Sequence, residues 1–113
     1  QARLKAAGRP WELSKSFEES APIGDFVPLA AETDLGAVRM RCLVNGVLRQ
    51  EGNSAQMLYP VDRLIEILSR TWRLRPGDLI FTGTPAGVGP VNPGDRLDGH
   101  VDGVGDLAIT YKR

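Results

Sequence analysis

The chain is poor in the residues that form disulfides and transition-metal sites. Among its 113 residues it has one cysteine, Cys42, and one histidine, His100. A single cysteine excludes an intrachain disulfide and a paired-cysteine zinc knuckle. Any metal site would therefore depend on carboxylates, which suit a hard cation such as magnesium.

The sequence also lacks an excess of charge of either sign and any long apolar run. Fourteen lysines and arginines balance fourteen acidic residues, so a basic surface of the kind that binds nucleic acid is not predicted. The apolar runs are far shorter than a membrane span, and no secretory signal pattern opens the chain. These features favour a cytoplasmic protein that acts without nucleic acid or membrane.

The chain has no initial methionine. It opens at Gln1 with helix-forming residues that run to Gly8, which reads like the end of a helix already under way. We therefore expect residues 1–113 to be a single partial domain of a longer or processed protein. Its 42% apolar and 25% charged residues are typical of a folded protein, and a chain of this length typically buries about two-thirds of its unfolded surface.

Two patterns predict the clearest regular elements. Residues 38–44 place four apolar side chains on one face of a strand (Val38, Met40, Cys42 and Val44) and two arginines, Arg39 and Arg41, on the other. Asn45-Gly46 then provides the two positive-φ residues of a type I′ turn. A β-hairpin returning along Val47–Gln50 is therefore predicted. From Pro60 to Trp72 the apolar residues instead recur at helical spacing, which predicts one amphipathic helix that faces a core, at about residues 60–72.

The last third of the chain is rich in turns and short strands. Pro-Gly-Asp occurs twice, ending at Asp78 and at Asp95, and each copy has proline and glycine at the central positions of a turn. Strands are predicted at residues 79–81, 97–101 and 107–111. The predicted fold class is therefore α+β and mainly β.

A glycine-rich segment, residues 82–89, follows the strand predicted at 79–81. Its backbone N–H groups and threonine hydroxyls could bind an anionic ligand, but glycine is equally suited to plain turns. The segment lacks the Gly-Lys-Ser/Thr ending of a phosphate-binding loop. From the residues alone, a structural turn and a ligand loop both remain open.

Single residues with chemical potential are less distinctive. Lys15 lies between apolar neighbours, but most lysines are solvated surface charges. His100 has no acid or nucleophile at a recognisable spacing, and we interpret it as a surface residue. Cys42 is interpreted as a small apolar residue on the inward face of the hairpin.

A series of short motifs runs in a fixed order along the chain. They are Gly8-Arg-Pro-Trp11, Lys15-Ser-Phe17, residues 22–28, Val44-Asn-Gly46 with Leu48-Arg-Gln50, Pro76-Gly-Asp78 and the glycine-rich residues 82–90. Each motif is weak singly, but together, in order and spacing, they resemble the fumarylacetoacetate hydrolase family. The acylpyruvase and oxaloacetate decarboxylase branch, which grades into carboxymethyl-hydroxymuconate isomerases, is the most similar.

The resemblance implies a mixed β-roll, a homodimer, and a Mg²⁺ or Mn²⁺ ion held by two glutamates and an aspartate that would precede Gln1. It also implies that Lys15 is the active-site lysine and that Gln1 contacts the substrate. Thr84, with Gly83 beside it, would bind the substrate within the glycine-rich loop. These roles come from the resemblance and not from composition or spacing.

The implied activity is metal-dependent cleavage of a carbon–carbon bond, by a hydrolase or lyase, in acylpyruvates, oxaloacetate or related 2-keto acids. An isomerase or decarboxylase acting on a hydroxymuconate-type diacid uses the same enolate chemistry and remains an alternative. A non-catalytic β-rich binding module is a third interpretation. If the metal ligands precede Gln1, we expect the 113-residue chain to be inactive by itself.

Overall fold

A small antiparallel sheet and few helices make up the regular structure of this chain. The computed structural model describes residues 2–10 and 12–112, except for the side chains of Ala2 and Leu13. The elements are the helices α1 (Ala2–Ala6) and α2 (Val61–Thr71) and the strands β1 (Arg39–Val44), β2 (Val47–Asn53), β3 (Arg96–Val101) and β4 (Gly105–Thr110). The predicted α+β, mainly β class is confirmed.

The four strands form one sheet in the order β2-β1-β3-β4, with antiparallel pairing throughout. The predicted hairpin is confirmed, because Asn45 and Gly46 connect β1 to β2 with φ angles of 52° and 79°, as a type I′ turn requires. Strand β2 continues past Gln50 to Asn53, since β1 offers pairing partners as far as Arg39. Strand β2 is therefore a long edge strand.

A β-bulge interrupts the pairing of β1 with β2. Cys42 lies opposite Gln50 while Leu43 lies opposite Leu48, so Arg49 is the extra residue of the bulged strand. A bulge bends its strand and re-aims the side chains beside it. The sequence prediction missed this bulge, which no glycine or proline marks.

The two faces of the sheet differ in polarity. Opposite residues of paired strands share a face, and Met40, Cys42 and Val44 of β1 therefore share an apolar face with Leu97 and Leu107. Val44 is the one buried apolar residue in the part of the chain that the structure describes. Cys42 is partly buried on this face, as predicted.

The opposite face carries ionisable side chains in a row across the strands. Glu51, Arg41, His100 and Asp106 lie side by side in register. His100 Nδ1 is 2.6 Å from Asp106 Oδ1, and its Nε2 is 3.2 Å from Asp102 Oδ1. The sequence shows no acid at a recognisable spacing from His100, and the β3–β4 hairpin supplies one by bringing the carboxylate of Asp106 from six residues away.

Helix α2 confirms the predicted amphipathic helix. Pro60 is its N-cap rather than its first residue. Ile65 and Trp72, both on the predicted core-facing stripe, are 44% and 61% exposed, so the stripe is only partly covered by the described residues. None of the described helices has the length and apolar character needed to cross a membrane.

The strand predicted at residues 79–81 is wrong. These residues form no strand, and Phe81 is 71% exposed. A strand requires a hydrogen-bonded neighbour, and an apolar run does not specify one. No strand of the described chain pairs with this segment.

The described chain buries less of its surface than is expected for a chain of this length. It exposes 9588 Å², whereas a compact monomer of this length exposes roughly 6,000 Å². Its radius of gyration is 15.9 Å, against about 13 Å for a compact chain of similar length. The expected two-thirds burial was wrong: Val44 is the one buried apolar residue among those described, while Phe26, Leu58 and Phe81 are 76%, 96% and 71% exposed.

Asn45 links the hairpin turn to the start of β3. Its Nδ2 donates to Asp95 Oδ1 at 2.8 Å, and its Oδ1 accepts from the Arg96 N–H at 2.9 Å. The Asn92 N–H donates to Asp95 Oδ2 at 2.7 Å. The hydrogen bond from the Asn92 backbone, followed by that from the Asn45 side chain, holds the pKa of the Asp95 carboxyl below its ordinary value.

We expect the substitution Asn45→Gly to raise the pKa of Asp95 toward its ordinary value. Glycine keeps the positive φ of the turn but removes the amide donor. The carboxyl chemical shift of Asp95, followed through acid titration of the intact gene product that contains this sequence, measures the change. An unaltered titration would show that the Asn45 amide does not act on this carboxylate.

The same pair of proteins tests the linkage to stability. A lowered folded-state pKa stabilises the fold above the unfolded-state pKa, and this contribution is lost as the pH falls through the folded-state pKa. The stability advantage of the wild type over Asn45→Gly should therefore shrink in acid. Denaturant unfolding at neutral and at acidic pH measures it.

Candidate functional site

A cleft of about 560 Å³ lies beside the edge strand β2. It is lined by residues of the segments 51–59 and 82–86, together with Met40 and Leu64. The second half of β2, the turn that follows it and the glycine-rich loop therefore meet at one place. The rest of the site depends on how this loop is held against the strand.

Two glycines allow an unusually close approach between the loop and β2. At Gly87, with φ of 98°, an added Cβ would lie 2.1 Å from the carbonyl oxygen of Arg49. At Gly52, an added Cβ would lie 2.7 Å from the Cβ of Pro85. Both distances are too short for a side chain, so each contact requires glycine: the Gly87 backbone packs on the Arg49 carbonyl, and the Pro85 ring packs on the Gly52 backbone.

Gly83 has a different reason to be glycine. Its φ is 97°, yet an added Cβ would meet nothing within 4 Å. The backbone conformation alone favours glycine here, and Gly83 lines the cleft with Thr84 and Pro85. The two interpretations left open by the sequence therefore apply to different parts of the loop: Gly87 holds the loop to β2, whereas residues 83–85 form a wall of the cleft.

Gln50 joins the loop to the bulged strand by hydrogen bonds. Its Nε2 donates to Thr84 Oγ1 at 2.9 Å and to the carbonyl oxygen of Pro85 at 2.9 Å. The extra residue Arg49 leaves Gln50 opposite Cys42, with its side chain reaching the loop. Gln50 ends the Leu48-Arg-Gln50 motif, but the sequence predicts no role for it, because the bulge that aims its side chain has no signal in the sequence.

Several oxygen atoms at the cleft already stabilise the turn after β2. Asn53 Oδ1 accepts from the Ala55 N–H at 2.8 Å, and Gln56 Oε1 accepts from the Asn53 N–H at 2.9 Å. This reciprocal pair is a capping box of the 3-10 turn, and its Asn-x-x-Gln spacing is the signal that would have predicted it. Buried Ser54 accepts from the Val38 N–H at 2.9 Å. These oxygens serve the fold.

The cleft has little positive charge of its own. Among the described residues that line it, the only lysine, arginine, aspartate or glutamate is Glu51. An anionic ligand would therefore need a cation from outside this lining. Lys15 is exposed and does not line the cleft, so the structure brings Gly83 and Thr84 together without Lys15.

Two of the predicted features have no described geometry at the cleft. Gln1 lies outside the described residues. No group of three or more His, Cys, Asp or Glu within residues 2–10 and 12–112 could hold a metal ion. The described part of the chain therefore does not provide the three-carboxylate set that the resemblance implies.

A second cleft, of about 270 Å³, lies on the polar face of the sheet. Its ionisable lining residues are Arg39, Arg41, Glu51, His100 and Asp102. Arg39 Nε is 3.5 Å from Asp102 Oδ2, and His100 contacts the same carboxylate. Because acids and bases offset one another here, the larger cleft is the better candidate for a ligand site.

Known proteins match this chain along nearly its whole length. A family model described as fumarylacetoacetate (FAA) hydrolase C-terminal matches residues 1–111. The chain belongs to the fumarylacetoacetate hydrolase family. Within that family, it is 42% identical over 113 residues to the mitochondrial oxaloacetate tautomerase of Mus musculus, a match that covers 100% of this chain and 51% of the mouse protein.

Solved structures of this family share the fold. A fumarylpyruvate hydrolase from Pseudomonas aeruginosa, in complex with Mn²⁺ and pyruvate, is 41% identical with a TM-score of 0.88, covering 99% of this chain and 48% of that one. A 5-carboxymethyl-2-hydroxymuconate delta-isomerase from Mycobacterium smegmatis is 34% identical with a TM-score of 0.86, covering 99% and 43%. The chain thus spans about half the length of these relatives.

We expect Gly87→Ala to destabilise the protein more than Gly94→Ala. The two glycines have matching φ angles of 98° and 94°, but a Cβ at Gly94 meets nothing within 4 Å. The control should therefore cost about 1–2 kcal/mol for positive φ alone, and Gly87→Ala roughly 3–5 kcal/mol because β2 must also move. Urea unfolding of the intact gene product measures both, and equal costs would contradict the close approach.

Proposed function

We propose that the intact protein is a metal-dependent enzyme that cleaves a carbon–carbon bond in acylpyruvates, oxaloacetate or related 2-keto acids, as a hydrolase or lyase. One observation carries the proposal. The chain that forms the Thr84-lined cleft is 41% identical, at a TM-score of 0.88, to a hydrolase whose structure contains Mn²⁺ and pyruvate. Pyruvate is itself a 2-keto acid, and its carboxylate and keto oxygens are hydrogen-bond acceptors.

The candidate reactions of this substrate class share one requirement, which is stabilisation of negative charge in the transition state. Carbon–carbon cleavage, decarboxylation and keto–enol tautomerisation of a 2-keto acid each develop negative charge on the keto oxygen as an enolate forms. Groups that are already placed to stabilise this charge accelerate all three reactions. A bound divalent ion, when present, supplies Lewis-acid stabilisation.

No group of three or more His, Cys, Asp or Glu in the described part of the chain could hold such an ion. In our proposal the Mg²⁺ or Mn²⁺ ligands lie outside the described residues. The contribution of this chain is then to bind the substrate, to orient it and to offset its charge. Mn²⁺ has the support of the Pseudomonas aeruginosa relative, and Mg²⁺ rests on the resemblance.

The roles of the residues follow from the cleft. Thr84 and the neighbouring loop N–H groups bind the carboxylate or a carbonyl oxygen, and Gly83 leaves the backbone open to the ligand. Lys15 provides the positive charge that the lining of the cleft lacks, beside the developing enolate oxygen. Gln1 orients the substrate. Each of these roles is proposed from the family resemblance and is consistent with the charge of the cleft.

Isomerisation or decarboxylation of a hydroxymuconate-type diacid is the second candidate. It is favoured by the 34% identity to the Mycobacterium smegmatis delta-isomerase. A non-catalytic binding module is the third, and it would show no Mg²⁺-dependent binding of oxalate. A homodimeric assembly and a cytoplasmic location also belong to the proposal, although the name of the mouse relative places that protein in mitochondria.

We expect Lys15→Met to lower the kcat of the intact gene product by about 10²–10³-fold, the usual effect of losing one group that stabilises charge in the transition state. Steady-state assays with oxaloacetate and an acylpyruvate measure it. Lys15 is exposed, so thermal stability should change little. Lys112→Met removes an exposed lysine at the other end of the chain and should leave turnover unchanged. Near-normal turnover of Lys15→Met would remove Lys15 from the mechanism.

Metal dependence has its own test. Chelation should abolish turnover of the intact gene product, and added Mg²⁺ or Mn²⁺ should restore it, because the enolate charge then regains its Lewis acid. The 113-residue chain assayed alone should be inactive with either ion. Strong Mg²⁺-dependent turnover by that chain would contradict the proposal that the metal ligands lie outside the described residues.

A further inference from the structure

Gln50 makes hydrogen bonds that determine what the Thr84 hydroxyl can offer to a ligand. Its Nε2 lies 2.9 Å from Thr84 Oγ1 and 2.9 Å from the carbonyl oxygen of Pro85. A carbonyl oxygen only accepts, so the side-chain atom facing Pro85 must be the amide nitrogen rather than the amide oxygen. The orientation of the Gln50 amide therefore follows from its neighbours.

This orientation commits both hydrogens of the amide nitrogen. One N–H is donated to Pro85, and the other to Thr84 Oγ1. A threonine hydroxyl has one hydrogen and two lone pairs. Because the Gln50 amide nitrogen donates and cannot accept, the Thr84 hydrogen is not used in this contact and remains for donation at the cleft that Thr84 lines.

We propose that Gln50 is a positioning residue that sets the Thr84 hydroxyl as a hydrogen-bond donor, so that this subsite takes an acceptor-only oxygen of the ligand, a carboxylate or keto oxygen, in preference to a donor group. The inference rests on the proposed function, since it describes how the 2-keto acid is held. It adds that the Gln50 amide determines the direction of the hydrogen bond that Thr84 makes with the ligand.

The location of Gln50 suits this role. It directly follows the bulge residue Arg49 on the edge strand and is partly buried. The loop is further fixed to the strand where Gly52 packs on Pro85. The Gln50 amide thus lies between two segments that are already held together, which limits its freedom to turn away.

The test is a double-mutant cycle in the intact gene product with the variants Gln50→Met, Thr84→Val and their combination. Calorimetry measures the binding of pyruvate in the presence of Mn²⁺. Steady-state assays with oxaloacetate measure KM and kcat. Gln50→Met keeps the length of the side chain and removes both donors. We expect it to weaken pyruvate binding and raise KM about tenfold, the usual effect of one lost hydrogen bond to a charged group, with a smaller change in kcat.

The combined variant distinguishes positioning from a purely structural role. If Gln50 acts through Thr84, the double variant should bind pyruvate no more weakly than Thr84→Val alone. Thr84→Ser keeps the hydroxyl and should bind nearly as well as the wild type. Thr110→Val, which removes an exposed hydroxyl from β4, is the matched control and should leave pyruvate binding unchanged.

If the wild type is active, two results would overturn this inference and leave the proposed function standing. One is that Gln50→Met and Thr84→Val lower the affinity for pyruvate independently, so that their effects multiply. The other is that Gln50→Met does not lower the affinity at all. If Gln50→Met does not fold, the same-sized Gln50→Glu carries the cycle, because its carboxylate cannot donate to Thr84 above its pKa. A wild type that binds no pyruvate with Mn²⁺ and turns over no 2-keto acid would overturn both the proposed function and the inference.

Discussion

The close approach of the glycine-rich loop to the bulged edge strand is the constraint on which the candidate site depends. Gly87 lies so near the carbonyl oxygen of Arg49 that a Cβ would overlap it, and Gly52 leaves room for Pro85. Hydrogen bonds from Gln50 then fix the chain at Thr84 and Pro85. Without this contact, the loop and the strand would not form a common wall of the cleft beside β2.

This arrangement gives the cleft polar groups but little positive charge. The oxygens of Asn53, Ser54 and Gln56 are committed to the turn after β2, and Glu51 is the one carboxylate of the described lining. A 2-keto acid, the proposed substrate, is an anion and would need a cation from outside this lining. The proposed roles of Lys15 and of a divalent ion meet that need. The chain belongs to the fumarylacetoacetate hydrolase family and spans about half the length of the relatives it matches. Both findings are consistent with a cation supplied from outside this lining.

Local patterns in the sequence were sufficient for elements whose geometry depends on near neighbours. The Asn45-Gly46 turn and helix α2 are of this kind, because positive φ and helical spacing are properties of a few consecutive residues. The predicted strand at 79–81 was wrong because strand formation depends on a partner that the local sequence does not specify. The depth of the core was overestimated for a related reason, since burial depends on what lies across the sheet.

The candidate site was predictable only in part. The glycine-rich segment was visible as a possible ligand loop, and the resemblance pointed to Thr84, but residues alone could not distinguish the packing glycine Gly87 from the cleft-lining Gly83. Gln50 had no signal, since its role arises from a bulge and from a loop 34 residues away. The acids around His100 were hidden in the same way by a hairpin. Contacts between distant segments decided each case.

A crystal structure of the intact gene product with Mn²⁺ and pyruvate tests the central claim most directly. The account predicts pyruvate in the cleft beside β2, with Thr84 Oγ1 within hydrogen-bond distance of a pyruvate oxygen and the Gln50 amide still on Thr84 and Pro85. Pyruvate bound elsewhere, or bound in this cleft with Thr84 turned away from it, would contradict the claim that the loop–strand contact builds the substrate site.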